Sequence, residues 1–164
     1  MSKTLFIVRH AKSSWDYTDI SDVDRPLSLR GINDAGIMAG RLKAKGDIPS
    51  LLITSPACRA FHTAIIFSRA LKVSCENLVI EERIYPGSIN EMLNVIEHVS
   101  EKYASIMIFG HNPASTGLAN HFLKQPIDNL PTAGIVTLNF NGDSWKNFKD
   151  QKPGSEHIDY PKKT

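Results

Sequence analysis

Apolar positions along the chain fall into short unbroken runs separated by stretches of helical periodicity. Leu5-Phe6-Ile7-Val8, Leu51-Leu52-Ile53, Leu78-Val79-Ile80 and Ile106-Met107-Ile108-Phe109 are continuous, the pattern of strands buried on both faces in a parallel sheet. Between them the apolar residues recur every three or four positions. Ser28 reads as the N-cap of a helix that turns Ile32, Ala35, Ala39 and Leu42 inward and stops at Gly46. Gly36 and Gly40 on that helix would let it pack closely on the sheet. Ser55 as N-cap with Pro56 at the first helical position opens a second helix, with Ala57, Ala60, Phe61, Ala64, Ile65 and Leu71 facing inward and Arg59 in its first turn. Ser88 with Glu91 forms a capping box for a third, which buries Met92, Ile96 and Val99 and leaves His98 outside. Asn112 as N-cap with Pro113 behind it starts a fourth, running to about Leu123. Ile135 to Phe140 alternates apolar with small or polar residues and reads as a strand nearer an edge. Residues from about 141 to 164 show little periodicity and are expected to form an irregular tail that packs in part through Trp145. Strands alternating with helices predict an α/β fold: one three-layer α/β/α domain over residues 1–164 with a largely parallel central sheet.

Three of the predicted strands end in chemistry. The first ends in Arg9-His10, the second in Ser55-Pro56 with Arg59 a turn later, and the fourth in Gly110-His111-Asn112-Pro113. In a parallel sheet these ends share one edge, the edge at which open α/β sheets bind ligands. Two arginines, two histidines and two helix N-termini would then face one crevice, a concentration of positive potential suited to phosphate. An arginine on a buried face is either paired with a carboxylate or part of such a pocket, and both readings stand for Arg59. An imidazole can attack phosphorus and carry the phosphoryl group, and His10 on a rigid strand end is the better placed of the two. His111 would donate to the charge developing on the phosphoryl oxygens, as the arginines would. His62, His98, His121 and His157 lack that context and take the ordinary reading of a lone histidine, a satisfied core residue.

Composition narrows the remaining classes. A net charge of +2 gives no basis for nucleic-acid or membrane binding by charge. Four aspartates, Asp16, Asp19, Asp22 and Asp24, crowd the loop after His10, but the glycine and closing glutamate of a calcium loop are missing, and the stretch reads as a solvated acidic loop. Cys58 and Cys75 are the only cysteines and form no CxxC pair. That excludes a disulfide framework, fits a reducing compartment, and makes each cysteine a small packing residue. The histidines sit beside arginines, which would repel a cation, and no HxH or HExxH spacing occurs, so a metal site ranks below phosphate. No secretory leader or membrane-crossing run is recognised, and a cytoplasmic protein is expected.

Arg9-His10-Ala11 resembles the RHG or RHA signature of the histidine phosphatase (phosphoglycerate mutase-like) superfamily. Further segments match in order: Asp24-Arg25-Pro26-Leu27-Ser28-Leu29-Arg30-Gly31, then Ser55-Pro56-Ala57-Cys58-Arg59-Ala60 with Thr63-Ala64, then Gly110-His111-Asn112-Pro113. The RHA variant, the short length and Pro131-Thr132-Ala133-Gly134 are most similar to the SixA-type branch, which is associated with phosphohistidine protein dephosphorylation. The resemblance implies a phosphoglycerate mutase-like fold, His10 as the phosphorylated nucleophile, and Arg9, Arg59 and His111 around the phosphate. It implies no metal and no organic cofactor, and a phosphorylated protein or small phosphorylated metabolite as partner. Ser13 matches the hydroxyl residue that follows the signature in RHGxS members. Asp16 stands where mutase-like members often carry Asn, and a carboxylate there would repel phosphate. Glu82 stands where those members place a general acid, although a glutamate paired with Arg83 is an equal reading. SixA-type members lack a clear acid at this point, and a phosphoramidate substrate makes one less necessary. A phosphate-recognition module without turnover and a phosphomutase are the alternatives to a phosphatase.

Overall fold

The computed structural model describes residues 2–163. In chain order they form β1 (Lys3–Arg9), α1 (Leu29–Lys45), β2 (Leu51–Thr54), α2 (Cys58–Leu71), β3 (Leu78–Ile80), α3 (Ile89–Glu97), β4 (Ser105–Gly110), α4 (Ala114–Phe122), β5 (Ile135–Phe140) and β6 (Ser155–Asp159). The sheet runs β3-β2-β4-β1-β5-β6. Its first four strands are mutually parallel, and β5 and β6 are antiparallel additions on one side.

The unbroken apolar character of β1 follows from the two layers it separates. Successive side chains point to opposite faces. Phe6 and Val8 join Ala35, Met38, Ala39, Phe67 and Phe109 under α1 and α2. Leu5 and Ile7 join Met92, Ile96, Leu118, Phe122 and Trp145 on the side of α3 and α4. Each aliphatic side chain so buried is worth roughly 1.5–3 kcal/mol, and no position in the centre of the strand can be polar.

Several local expectations are corrected. Helix α1 does start at the Ser28 cap, whose hydroxyl accepts from the Gly31 N–H at 3.1 Å, and ends at Gly46 with φ 77°. However, Met38 is buried where Ile32 is exposed. Gly36 and Gly40 touch nothing, and the close approach is at Gly31, where a Cβ would lie 2.1 Å from the Lys12 carbonyl oxygen. Helix α2 begins at Cys58 with Ala57 at the cap, so Ser55 is not its N-cap. Its buried face carries Thr63 and Phe67, while Phe61 and Ile65 are half-buried. Helix α4 begins at Ala114 with Pro113 at the cap position, and Asn112 instead takes the Thr116 N–H on its side-chain oxygen at 3.2 Å. Cys58 and Cys75 are exposed rather than packed.

The C-terminal stretch is not an irregular tail. Ser155–Asp159 pairs with β5, so β6 is the edge strand and β5 lies one position in from it. Arg41 of α1 fastens the end of β6 and the two residues beyond it, donating to Asp159 Oδ1, the Tyr160 carbonyl and the Pro161 carbonyl, each at 2.9 Å. Trp145 is fully buried. Among the described residues no helix is long and apolar enough to cross a membrane.

Candidate active site

Strand register brings the sequence motifs to one level. Arg9 lies opposite Gly110 and Thr54 opposite Phe109, so His10, His111 and Ser55 each leave their strand together at the carboxyl edge. Backbone bonds lock the exits: His10 N–H donates to the Gly110 carbonyl at 3.0 Å and Ser55 N–H to the Phe109 carbonyl at 3.1 Å. The loop after His10 is pinned as well. Ala11 N–H donates to Thr63 Oγ1 at 3.0 Å, and Lys12 offers its carbonyl to Ser28 N–H at 2.9 Å. That second bond lays the loop across Gly31, and it explains why no side chain fits there.

The edge opens as a cavity of about 260 Å³ lined by Arg9, His10, Lys12, Ser13, Trp15, Arg25, Arg59, His111, Asn112 and Thr132. Four of these side chains are cationic and none is acidic. The two imidazoles stand 5.1 Å apart between ring centroids, at 8% exposure for His10 and 7% for His111.

His10 Nδ1 lies 2.7 Å from the Ala11 carbonyl oxygen. A carbonyl only accepts, so Nδ1 carries the proton and Nε2 keeps a free lone pair. Burial lowers the pKa of His10 to about 4, against the raising effect of the Ala11 bond and with the help of Arg59, Arg9 and Arg25. Burial likewise lowers His111 to about 3, and the neighbouring charges of His10 and Arg59 add to it. Both rings are therefore neutral near pH 7. His111 Nε2 meets Ser55 Oγ at 2.8 Å, and that oxygen also accepts the Ala57 N–H at 3.1 Å. Among the described residues the Ser55 hydroxyl has no acceptor other than His111 Nε2, so its proton goes there and the ring proton lies on Nδ1, a buried atom with no partner. Arg9 Nε and Arg59 Nε are buried without partners too. Unmet donors of this kind cost free energy unless an acceptor arrives, and a phosphoryl group offers several oxygens at once.

Both readings of Arg59 hold. Its Nη2 pairs with Asp22 Oδ2 at 3.0 Å and its Nη1 donates to the Asp22 carbonyl at 2.7 Å. Asp22 sits in a single 3-10 turn, Asp22–Asp24. Its carboxylate also takes the Tyr85 hydroxyl at 2.7 Å and Arg25 Nε at 3.1 Å. The Tyr85 bond first, then Arg25 and Arg59, hold this carboxyl far below the usual range. So the loop expected to be merely solvated supplies a carboxylate that clasps the pocket. Arg25 is the other residue missed. It lines the cavity, donates to Ser13 Oγ at 2.6 Å and lies 3.7 Å from the centre of the Trp15 ring. Neither is visible as a site residue until the loop folds back over α2, although the run of acids beside a lone Arg25-Pro26 marks the place.

Ser13 reaches the cavity wall with its hydroxyl committed to Arg25. Asp16 is exposed and outside the lining residues. Glu82 is exposed in a separate 3-10 turn, Glu82–Ile84, and does not line the cavity. Arg83 pairs with Glu81 at 2.9 Å, not with Glu82. Among the described residues no group of three or more His, Cys, Asp and Glu side chains is placed to hold a metal ion.

The sequence model of the histidine phosphatase superfamily, branch 1, matches residues 5–84. That match, together with the fold, supports placing the chain in that superfamily as a phosphatase of the histidine type. An uncharacterized protein of Mycobacterium tuberculosis is 28% identical over 158 residues, covering 90% of this chain and 93% of its own. A protein histidine phosphatase SixA solved with tungstate superposes with a TM-score of 0.79 at 20% identity, over 96% of this chain and 97% of that one. A candidate phosphohistidine phosphatase SixA from Agrobacterium tumefaciens gives 0.77 at 24% identity, over 85% and 92%. At these identities the structural likeness is one of fold.

Proposed function

We propose that the protein removes the phosphoryl group from phosphohistidine in a protein, through a phosphohistidine formed on His10. One observation carries the choice of substrate: among the described residues no carboxylic acid lines the cavity to protonate a leaving group. Glu82 stands outside the cavity, and Asp22 is held ionised by Tyr85, Arg25 and Arg59. An alkoxide leaving group needs such an acid. An imidazole whose second ring nitrogen is protonated does not.

In the first step His10 Nε2 attacks phosphorus, the bond to the substrate's ring nitrogen breaks, and its electron pair returns to a ring that leaves as neutral imidazole. Arg9, Arg59 and the Nδ1–H of His111 meet the phosphoryl oxygens, where charge-assisted bonds are worth about 1.5–3 kcal/mol each. In the second step water attacks phosphorus and the bond to His10 breaks. The electron pair of that bond returns to Nε2, one proton of the water stays on the departing phosphate, and the other is released to solvent, so that His10 is again neutral and protonated on Nδ1. No step calls for a metal or an organic cofactor. Unpaired Cys58 and Cys75 support a reducing, cytoplasmic setting.

The test is a panel containing a phosphohistidine protein domain, sugar phosphates and nucleotides, run with and without chelator. The phosphohistidine domain is expected to be the best substrate and chelator to be without effect. An acid-labile, alkali-stable label should be trapped on the wild type and be absent from His10→Ala. Label persisting in His10→Ala overturns the mechanism. A sugar phosphate turned over faster than the domain overturns the substrate and favours a small metabolite. Phosphoryl transfer within one substrate outpacing phosphate release would make the chain a mutase, and binding without hydrolysis would make it a recognition module.

A further inference from the structure

Trp15 is 70% exposed, with Tyr17 and Ile20 also exposed nearby, yet its position is built rather than loose. The backbone before it is fixed by Ser14 N–H to the Pro26 carbonyl at 2.8 Å and by the bridge between Ser13 and Leu27. One face of the indole lies on the Arg25 guanidinium at 3.7 Å. That guanidinium is itself buried and held by Ser13 and Asp22. Away from that contact the ring is largely exposed. Trp15 lines the same cavity as His10, and apart from the two histidines it is the one aromatic ring in that lining.

We infer that the exposed indole of Trp15 is the platform on which the planar leaving ring of the substrate stacks while His10 takes its phosphoryl group. The inference rests on the phosphohistidine reading and names the residue that selects for it. An imidazole protonated on its second nitrogen carries positive charge until the P–N bond breaks. The walls around His10 are cationic, so they hold the phosphoryl group and repel that ring. Within the cavity lining the indole face is the surface of opposite character, because its quadrupole is negative above the plane. With Arg25 fixed beneath it, the ring is already oriented, and little is lost in ordering it on binding.

The experiment compares two phosphoramidates that share the P–N bond and differ in the ring: phosphoimidazole and phosphoramidate itself, whose leaving group is ammonia. Trp15→Ala is expected to lower kcat/KM for phosphoimidazole about tenfold, the equivalent of about 1.4 kcal/mol. It should leave phosphoramidate within about twofold, and Trp15→Phe should recover most of the loss, since it keeps a π-face. Equal losses on both substrates would mean that Trp15 acts through Arg25 and the phosphate pocket, which overturns the inference, as would no loss on either. A loss seen only with a phosphorylated protein domain would make Trp15 a grip on the partner's surface instead. Failure of the wild type on every P–N substrate, with phosphoesters still hydrolysed, would remove the phosphohistidine reading and this inference with it.

Discussion

Ser55 illustrates how much of the site's chemistry is carried by one hydroxyl. It is fully buried at the end of β2, between the Ala57 N–H and His111 Nε2. By giving its proton to Nε2 it keeps the His111 proton on Nδ1, so that a neutral ring whose pKa is about 3 still has a donor to offer. Removing the hydroxyl lets the ring exchange tautomers and leaves the Ala57 N–H unmet. Ser55→Ala is therefore expected to slow phosphoryl transfer to His10 about tenfold, in line with the loss of one buried hydrogen bond worth about 1–1.5 kcal/mol. Single-turnover formation of the phosphoenzyme measures this directly. An unchanged rate would show that Ser55 is only a turn residue.

At the scale of elements, the loop between β1 and α1 works as a second wall of the pocket. It crosses to α2 through Asp22 and Arg59 and to the segment before α3 through Asp22 and Tyr85. Asp22 also places a negative charge beside a cavity meant for a dianion. Asp22→Asn keeps the shape and removes the charge. It is expected to tighten inhibition by inorganic phosphate about fivefold, from a Coulomb repulsion of about 1 kcal/mol at this partly solvated distance. Weaker inhibition would mean that Asp22 serves mainly to orient Arg59. The strand-end residues were legible in the sequence because a strand buried on both faces must stop being apolar where it meets a ligand. Arg9, His10 and His111 could be placed at that edge from this alone, and Arg59 from its position in the first turn of the helix that follows β2. Asp22 and Arg25 could not, because their place depends on how an aperiodic loop folds back. Ser55 was misread because the SP pair that often starts a helix here ends a strand, with its hydroxyl engaged by His111. β6 left no signal, since an edge strand pairs on one side and buries none of its five residues.

Across the whole molecule, the two buried histidines of the site make folding sensitive to acid. In the unfolded chain a histidine titrates near 6.5. In the folded protein burial holds His10 at about 4 and His111 at about 3. Above pH 6.5 both are neutral in either state and contribute no pH dependence. As pH falls below 6.5 the unfolded chain takes up protons that the folded chain refuses, so stability drops by up to about 2.7 kcal/mol per pH unit for the pair. The drop eases near pH 4 for His10 and continues toward pH 3 for His111. Bound phosphate should oppose it, because a dianion beside the rings favours their charged forms. Thermal midpoints measured from pH 7.5 to 4.5 are expected to fall more steeply for the wild type than for a His10→Gln, His111→Gln double variant. Added phosphate should flatten the wild-type curve and leave the variant's slope alone. Parallel curves for the two proteins would mean that the histidines are solvated enough to titrate normally. In that case the neutral, lone-pair-bearing His10 on which the proposed nucleophilic step depends would not be maintained by burial.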